Sequence, residues 1–310
     1  MFNEFLIDNL SILSKIEVPP KRLDDIIAFF KKLKKGIEDN ERRFVLLGLI
    51  FYKFLTNKEM RLDSTSGIIF EKIMAGIFKG KVIGHKAVKI NDEKKGDKTL
   101  KTNKIFKPDV DFDGYKVSLK TLKGKLFNIN LLCEDKKYKY ELSIGAVSIT
   151  ALLKGTGIND EDLTERKRLG SRKKLIANLY DPLMKNKKMD IFLKNFEDIF
   201  MSIYGNIDII VLFKRGYQMK VLFFHGKDFV ESLLKIGKEE KGEKLFKVLN
   251  RWEGGSIRLS YTDLFEQMKQ DKKLEEIVIN LNTVEKNKEI NERVKEIQKN
   301  IRNFLSDISK

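Results

Sequence analysis

Apolar residues recur at helical spacing in the first part of the chain. The stretch 22–38 follows a proline pair, Pro19-Pro20, a sequence that suits a helix start. Its apolar stripe consists of Leu23, Ile26, Ile27, Phe30 and Leu33. The apolar run 44–55 is far shorter than the roughly 20 residues of a membrane span, so we interpret it as a buried helix. Residues 66–78 predict a further helix, and residues 1–62 are expected to form an N-terminal helical region.

The pattern changes to period two over residues 108–122. Within it lies Asp113-Gly114, a dipeptide typical of two-residue hairpin turns. A turn at these residues places Val110 opposite Val117, Asp111 opposite Lys116 and Phe112 opposite Tyr115. Because side chains alternate between the two faces of a strand, one face carries Val110, Phe112, Tyr115, Val117 and Leu119, and the other carries Asp109, Asp111, Lys116, Ser118 and Lys120. The first face is expected in a core, and the second faces solvent or a chemical site.

Helices and strands alternate in the second half of the chain. The spacing predicts a helix over 189–204, buried strands over 207–213 and 219–224, a strand over 256–261, and the start of a helix over 263–268. We therefore expect an α/β core over 63–275, with a basic insertion at about 124–188 and a C-terminal helix within 276–310. Apolar residues of that last helix repeat at heptad spacing. Such a stripe packs either against another helix or against the helix's own domain.

Charge and composition indicate the class of partner. The 310 residues include 62 Lys and Arg against 45 Asp and Glu, a net charge of +17 that favours a polyanionic partner. The single cysteine, Cys133, excludes an intramolecular disulfide, and no zinc-type spacing is present, so the cytoplasm is the expected compartment. We expect no membrane segment and, in the absence of a Gly-rich phosphate loop, no nucleotide cofactor.

The segment 166–188 is the best candidate for nucleic-acid contact. It holds nine Lys or Arg and one acid, Asp181. Its arginines have the geometry to read guanine edges or hold phosphates, and its lysines suit salt-dependent contacts with the DNA backbone. The candidate DNA-binding residues are Arg166, Lys167, Arg168, Arg172, Lys173 and Lys174. A solvated basic helix is the alternative interpretation.

The hairpin also carries a recognisable set of polar residues. Pro108-Asp109 lies on one arm and Ser118-Leu119-Lys120 on the other, with Glu71 on the preceding helix and a helix and buried strand following. This order resembles the PD-(D/E)xK nuclease superfamily, to which many type II restriction endonucleases belong. The resemblance covers about residues 64–124 and 189–213 and implies a restriction-endonuclease-like core, a mixed sheet flanked by helices.

The resemblance implies specific roles for these residues. Asp109 would bind Mg²⁺, and Lys120 would orient or help to deprotonate the attacking water. Glu71 would be a further metal ligand or would hold a metal-bound water. The sequence departs from the motif at Ser118, where a second acid is usual. The acids that could compensate are Glu71, then Glu134, then Asp111, in that order. A solvated face with an Asp111–Lys116 ion pair is the alternative interpretation of the hairpin.

The leading hypothesis is therefore a Mg²⁺-dependent type II restriction endonuclease that acts on double-stranded DNA as a homodimer. Two alternatives stay open. One is a structure-specific or repair nuclease of the same superfamily. The other is a non-catalytic nucleic-acid-binding protein with a degenerate nuclease core, which the serine at position 118 allows.

Overall fold

The structure is a computed structural model of the chain. It describes residues 10–56, 66–83, 108–122, 126–130, 152–158, 172–215, 217–253 and 256–281, and the single positions 292, 296 and 299. None of the helices in these ranges is long and apolar enough to cross a membrane.

Three helices precede the first strand. They are α1 (Leu23–Glu38), α2 (Arg42–Thr56) and α3 (Ser66–Phe78). The helix α1 is strongly amphipathic, and its apolar side is buried against the central sheet, where the ring centroids of Phe30 and Phe223 lie 5.4 Å apart. The helix α3 is almost entirely buried from Phe70 to Phe78. These helices form one layer of the main fold.

A mixed six-stranded sheet forms the centre of the molecule. Its strands, in chain order, are β1 (Lys81–Val82), β2 (Val110–Phe112), β3 (Tyr115–Leu122), β5 (Asp208–Arg215), β6 (Gln218–His225) and β9 (Glu275–Asn280), and this is also their order across the sheet. All neighbouring strands are antiparallel except β3 and β5, which are parallel. A second sheet contains β4 (Leu126–Asn130), β7 (Leu249–Glu253) and β8 (Ser256–Ser260), in the order β4-β8-β7.

Helices of the second half of the chain cover the other face of the central sheet. A helical segment consists of α4 (Arg172–Leu175), a π-helical turn (Ile176–Tyr180) and α5 (Asp181–Lys185). It is followed by α6 (Met189–Tyr204), α7 (Gly226–Lys238), a 3₁₀ turn (Glu239–Gly242), α8 (Glu243–Val248) and α9 (Tyr261–Gln270).

The sheet separates two hydrophobic cores. On one side, residues of α1–α3 pack with Val110, Val117, Ile210 and Phe223. On the other, residues of α4–α9 pack with Ile209, Val211, Leu222 and Phe224. Alternate residues of β5 therefore enter opposite cores, as the period of a strand requires. A strand buried on both faces explains the near-continuous apolar sequence of β5.

One end of the sheet is joined by a short chain of polar contacts. The Tyr115 hydroxyl donates to Asp208 Oδ2 over 2.5 Å, and Asp208 Oδ1 lies 2.6 Å from Nδ1 of His225. These residues belong to β3, β5 and β6, so the contacts link three adjacent strands. Burial and the bond to Asp208 raise the pKa of Tyr115, which keeps its hydroxyl protonated.

Many of the predicted elements are confirmed. The helices at 66–78 and 189–204, the strands β5 and β6, and the hairpin with its Asp113-Gly114 turn are all present. The register is the predicted one, with Val110 opposite Val117, Asp111 opposite Lys116 and Phe112 opposite Tyr115. The predicted α/β class is therefore correct as far as a mixed sheet flanked by helices.

The predicted division of the chain differs from the structure in three places. Residues 276–280 belong to β9 and pair with β6, so a boundary at residue 275 cuts through a strand of the central sheet. The N-terminal helical region shares a core with that sheet and is not separate from it. The insertion at 124–188 contributes β4 to the second sheet and a helical segment over 172–185 to the core. The predicted C-terminal helix over 285–309 lies almost wholly outside the described residues.

Gly226 allows a close approach of two backbone segments and offers a test of the packing. A Cβ at this position would lie 2.0 Å from the Tyr204 carbonyl oxygen and 2.5 Å from that of Ile207. Because backbone atoms cannot move aside easily, we expect Gly226→Ala to lower the free energy of unfolding by about 3 kcal/mol, measured by urea denaturation.

Gly237→Ala is the matched control. Its added Cβ would approach a side-chain atom of Leu193 at 3.1 Å, and a side chain can move. We expect a change within about 1 kcal/mol, because alanine also favours the helix. Equal stability of the two variants would contradict the close approach at Gly226.

Candidate active site

Asp109 is held between two strands by its own backbone. Its N–H donates to the carbonyl oxygen of Val117 over 3.1 Å, and its carbonyl oxygen accepts the N–H of Ile83 over 3.0 Å. The residue directly precedes β2 and is only 4% exposed. The backbone thus directs a carboxylate to a fixed, buried position beside β3.

Three consecutive residues of β3 donate to one oxygen of that carboxylate. Asp109 Oδ2 accepts the Ser118 hydroxyl at 2.9 Å, the Leu119 N–H at 2.6 Å and the Lys120 ammonium at 2.7 Å. The other oxygen, Oδ1, accepts no hydrogen bond from any residue that the structure describes. A buried carboxylate oxygen requires a donor or a cation, so Oδ1 is a place where a ligand would be stabilised.

A second carboxyl group lies close to the first. Glu71, on α3, is 5% exposed. Burial raises the pKa of its carboxyl group to about 8, and the negative charge of Asp109 acts in the same direction, while Lys120 acts in the opposite one. Glu71, Asp109 and Lys120 therefore form one electrostatic unit, although they come from a helix, the start of a strand and a second strand.

Tyr204 reaches the same region from the opposite layer. It is the last residue of α6 and 2% exposed. Burial raises the pKa of its phenol, and the negative charge of Asp109 raises it further, so the hydroxyl remains protonated and neutral. Tyr204 is not among the residues that the sequence singles out. An aromatic residue at the end of an apolar helical stripe resembles any other core residue, and only the packing of α6 against the sheet reveals its position.

The residues of this site fit a divalent cation. Carboxylate and hydroxyl oxygens are the donors that Mg²⁺ prefers. A cation here would give Asp109 Oδ1 a partner and would favour the ionised form of Glu71, whose carboxyl group otherwise keeps its proton up to a pH of about 8. Within the described ranges, no three His, Cys, Asp or Glu residues come together as a metal site. Mg²⁺ commonly keeps several waters and binds through one or two protein carboxylates, so this small set is sufficient.

The other predicted site residues have different positions. Ser118 is fully buried, and its hydroxyl is bonded to Asp109, so it does not lie on a solvated face. Asp111 accepts the N–H of Gly114 over 2.6 Å and thereby stabilises the hairpin turn, while its predicted metal-binding role stays a prediction. Glu134, Arg166, Lys167 and Arg168 lie outside the described residues. Arg172, Lys173 and Lys174 are exposed on α4.

The comparisons with known proteins give no relative for this chain. No protein-family model, no curated protein and no solved structure matches it. The chemistry of the site must therefore be inferred from its own geometry.

The carboxyl group of Glu71 predicts a pH dependence of stability in EDTA. Its pKa is about 8 in the folded protein against 4.5 for an unperturbed group. Between these two values the folded protein holds a proton that the unfolded chain has lost, so the free energy of unfolding falls as the pH rises through this window. We expect Glu71→Gln to remove this slope and to be more stable than the wild type by about 5 kcal/mol at pH 8.5 but not at pH 4.5.

Urea denaturation at a series of pH values measures this difference. Glu38→Gln is the control, because Glu38 is exposed on α1 and its substitution should leave the slope unchanged. A wild-type slope that persists in Glu71→Gln would show that another group is responsible.

Proposed function

We propose that this protein is a Mg²⁺-dependent endonuclease that hydrolyses phosphodiester bonds of double-stranded DNA, and that it acts as a type II restriction enzyme. The observation that carries the proposal is the convergence of Ser118, Leu119 and Lys120 on the buried carboxylate of Asp109. A buried aspartate paired with a lysine, next to a second buried acid in a chain of charge +17, suits a reaction on a phosphate diester.

The order of elements supports this proposal. The helix α3 is followed by β1 and the β2–β3 hairpin. After β4 and the helical segment 172–185 come the helix α6 and the strand β5, which pairs in parallel with β3. The PD-(D/E)xK resemblance implies the same succession of helix, strand, hairpin, helix and strand. We therefore propose that the central sheet has a restriction-endonuclease-like arrangement.

Hydrolysis of a phosphodiester brings a nucleophile to a negatively charged phosphate. Mg²⁺, when bound, supplies positive charge for the phosphate oxygens and for the leaving group. Asp109 and Glu71 would hold it. Both are buried, so the interaction between their charges and a cation is weakly screened.

Lys120 would contribute the second positive charge of the site. Its side chain is 21% exposed, so the ammonium group contacts Asp109 and also reaches solvent. From this position it can orient the attacking water, hold a proton at Nζ and stabilise the negative charge that develops on the phosphate.

Ser118 replaces the second acid of the motif with a neutral group. Its hydroxyl donates to Asp109 Oδ2 and so orients the carboxylate. We propose that Ser118 positions Asp109 and that Glu71 provides the missing carboxylate. The negative charge of Asp109 acts on Glu71, which supports Glu71 as this acid, and Glu134 lies outside the described residues.

The basic residues of α4 extend the proposal to DNA. Arg172, Lys173 and Lys174 are exposed, while the next residue, Leu175, is buried in the core on the Lys120 side of the sheet. The charges therefore lie on the layer that covers the same face as Lys120. We further propose that the enzyme is a cytoplasmic homodimer, because two copies of the site would cut both strands.

Plasmid cleavage tests the proposed activity. Purified protein with Mg²⁺ should convert supercoiled plasmid to linear fragments, and EDTA should abolish the reaction. We expect Asp109→Asn and Lys120→Met to lower the cleavage rate by at least about 100-fold. The first removes a charge that would hold Mg²⁺, and the second removes a positive charge that would stabilise the transition state.

Lys116→Met is the matched control for Lys120→Met. Lys116 lies on the same strand but is exposed. This variant should cut at close to the wild-type rate.

If the wild type leaves plasmids from several sources intact, or if Lys120→Met cuts equally well, the proposal fails. A discrete fragment ladder distinguishes a restriction enzyme from a structure-specific nuclease, and binding without cleavage identifies a non-catalytic binding protein.

The basic helix makes a separate prediction about binding. The triple variant Arg172→Ala, Lys173→Ala and Lys174→Ala should bind duplex DNA more weakly. The slope of log K against log salt concentration should decrease by roughly 0.9 for each phosphate that these side chains no longer neutralise, measured by fluorescence anisotropy in EDTA.

A triple alanine variant of Lys31, Lys32 and Lys35 controls for net charge. These residues lie on α1, which packs on the opposite face of the sheet. Its salt slope should remain that of the wild type. An equal weakening of binding in the two triple variants would mean that DNA binding depends on overall charge and not on α4.

A further inference from the structure

A cavity lies between the central sheet and α9, apart from the candidate active site. Its volume is about 210 Å³. Residues of β5, β6 and β9 form its floor, and residues of α9 form its wall.

This cavity opens on the face of the sheet that carries Lys120. The strand register places Lys120 beside Val211, Val211 beside Leu222, and Leu222 beside Glu276. Residues paired in this way point to the same side of the sheet, so Lys120 and the cavity lie on one side of it. Val211 between them is buried in the core, and Phe213, two residues further along β5, is partly exposed. Three strand spacings of about 4.8 Å separate Lys120 from Glu276, a distance of about 14 Å. The rise in a duplex strand is about 3.4 Å per nucleotide, so this distance corresponds to about four nucleotides along one strand.

The lining combines an apolar interior with a polar rim. Phe213, Leu222 and Phe265 provide apolar surface. At the rim, Lys220 Nζ lies 3.2 Å from Glu276 Oε1, and Lys269 pairs with the other oxygen of the same carboxylate.

Glu266 and Thr262 add further polar groups to the rim. The two lysines and two glutamates together leave it without net charge. It therefore suits a neutral ligand edge with both donors and acceptors better than a phosphate.

The size of the cavity limits the ligand. Pockets for drug-sized molecules occupy roughly 300–1,000 Å³, so this cavity suits a smaller group such as one planar ring system. A nucleobase has flat apolar faces for the phenylalanines and an edge of donors and acceptors for the lysines and glutamates. We propose that the cavity receives one unstacked nucleobase of the DNA strand that crosses the candidate active site, an inference that rests on the proposed function.

Removing a base from the stack costs free energy, which stacking on aromatic residues offsets. The cost is smallest for a base that is already unpaired. Single-stranded DNA is therefore the most direct probe of the cavity, and EDTA separates binding from any cleavage.

The experiment compares two labelled oligonucleotides of equal length in EDTA by fluorescence anisotropy. One is single-stranded DNA, and the other carries the same backbone without bases at its internal positions. We expect the wild type to bind the first at least about fivefold more tightly. Two variants should bring this ratio close to one. Thr262→Trp fills the cavity from an exposed position, and Phe213→Leu keeps apolar packing but removes the aromatic ring.

Phe29→Leu is the control, because it makes the same substitution in the core on the opposite face of the sheet. It should keep the wild-type ratio, and thermal denaturation should show that all variants are folded. A ratio that both cavity variants preserve would overturn the inference. Plasmid cleavage is measured separately. If the wild type cleaves plasmid but the cavity variants keep the wild-type binding ratio, the nucleobase pocket is excluded and the nuclease is not. If the cavity variants lower the ratio but the wild type cleaves no plasmid, the nuclease is excluded and the pocket is not.

Discussion

The candidate site depends on the carboxylate of Asp109 and on the strand beside it. Three donors from consecutive residues of β3 meet on one oxygen, and one of them is the backbone N–H of Leu119. Such an arrangement tolerates no change of register, because a shift of one residue would move Lys120 to the other face. The turn maintains this register: Asp113 and Gly114 both have positive φ, at 56° and 95°, as the tight hairpin turn requires. The chemistry of the site is therefore determined in part by a turn several residues away.

Two hydrophobic layers hold the charged groups together. Glu71 comes from the helical layer on one side of the sheet, and Tyr204 comes from the layer on the other. Glu71 and Asp109 are both buried from water, so each depends on contacts with neighbouring residues for its stabilisation. Packing on both faces thus holds together two carboxyl groups that would separate in a looser fold. Under the proposed function, this packing would position the two carboxyl groups before a cation binds.

Local patterns in the sequence predict the hairpin and the long helices but not all of the sheet. The hairpin is predictable because a strong turn dipeptide lies between two alternating runs. Strands β7 and β9 carry no comparable signal. In β9, two glutamates precede a short apolar stretch, and its partner β6 lies more than 50 residues earlier in the chain. The burial of Ser118 is not apparent either, because alternation identifies the two faces of a strand but not what covers them. Likewise, Glu71 lies at the edge of an apolar stripe, and only the packing of α3 against the hairpin decides that it is buried.

The parallel pairing of β3 with β5 has a consequence for how the molecule is made. The contact between Tyr115 and Asp208 joins residues 93 positions apart, so a long stretch of chain must be synthesised before the central strand pair can close. Contacts of such large sequence separation form late in folding, because the entropy of loop closure precedes any gain from them. A nascent chain on the ribosome therefore carries the hairpin for some time with one side of β3 unpaired. Under the proposed function, the enzyme would be inactive during that interval and would become active only when the later strands have been added.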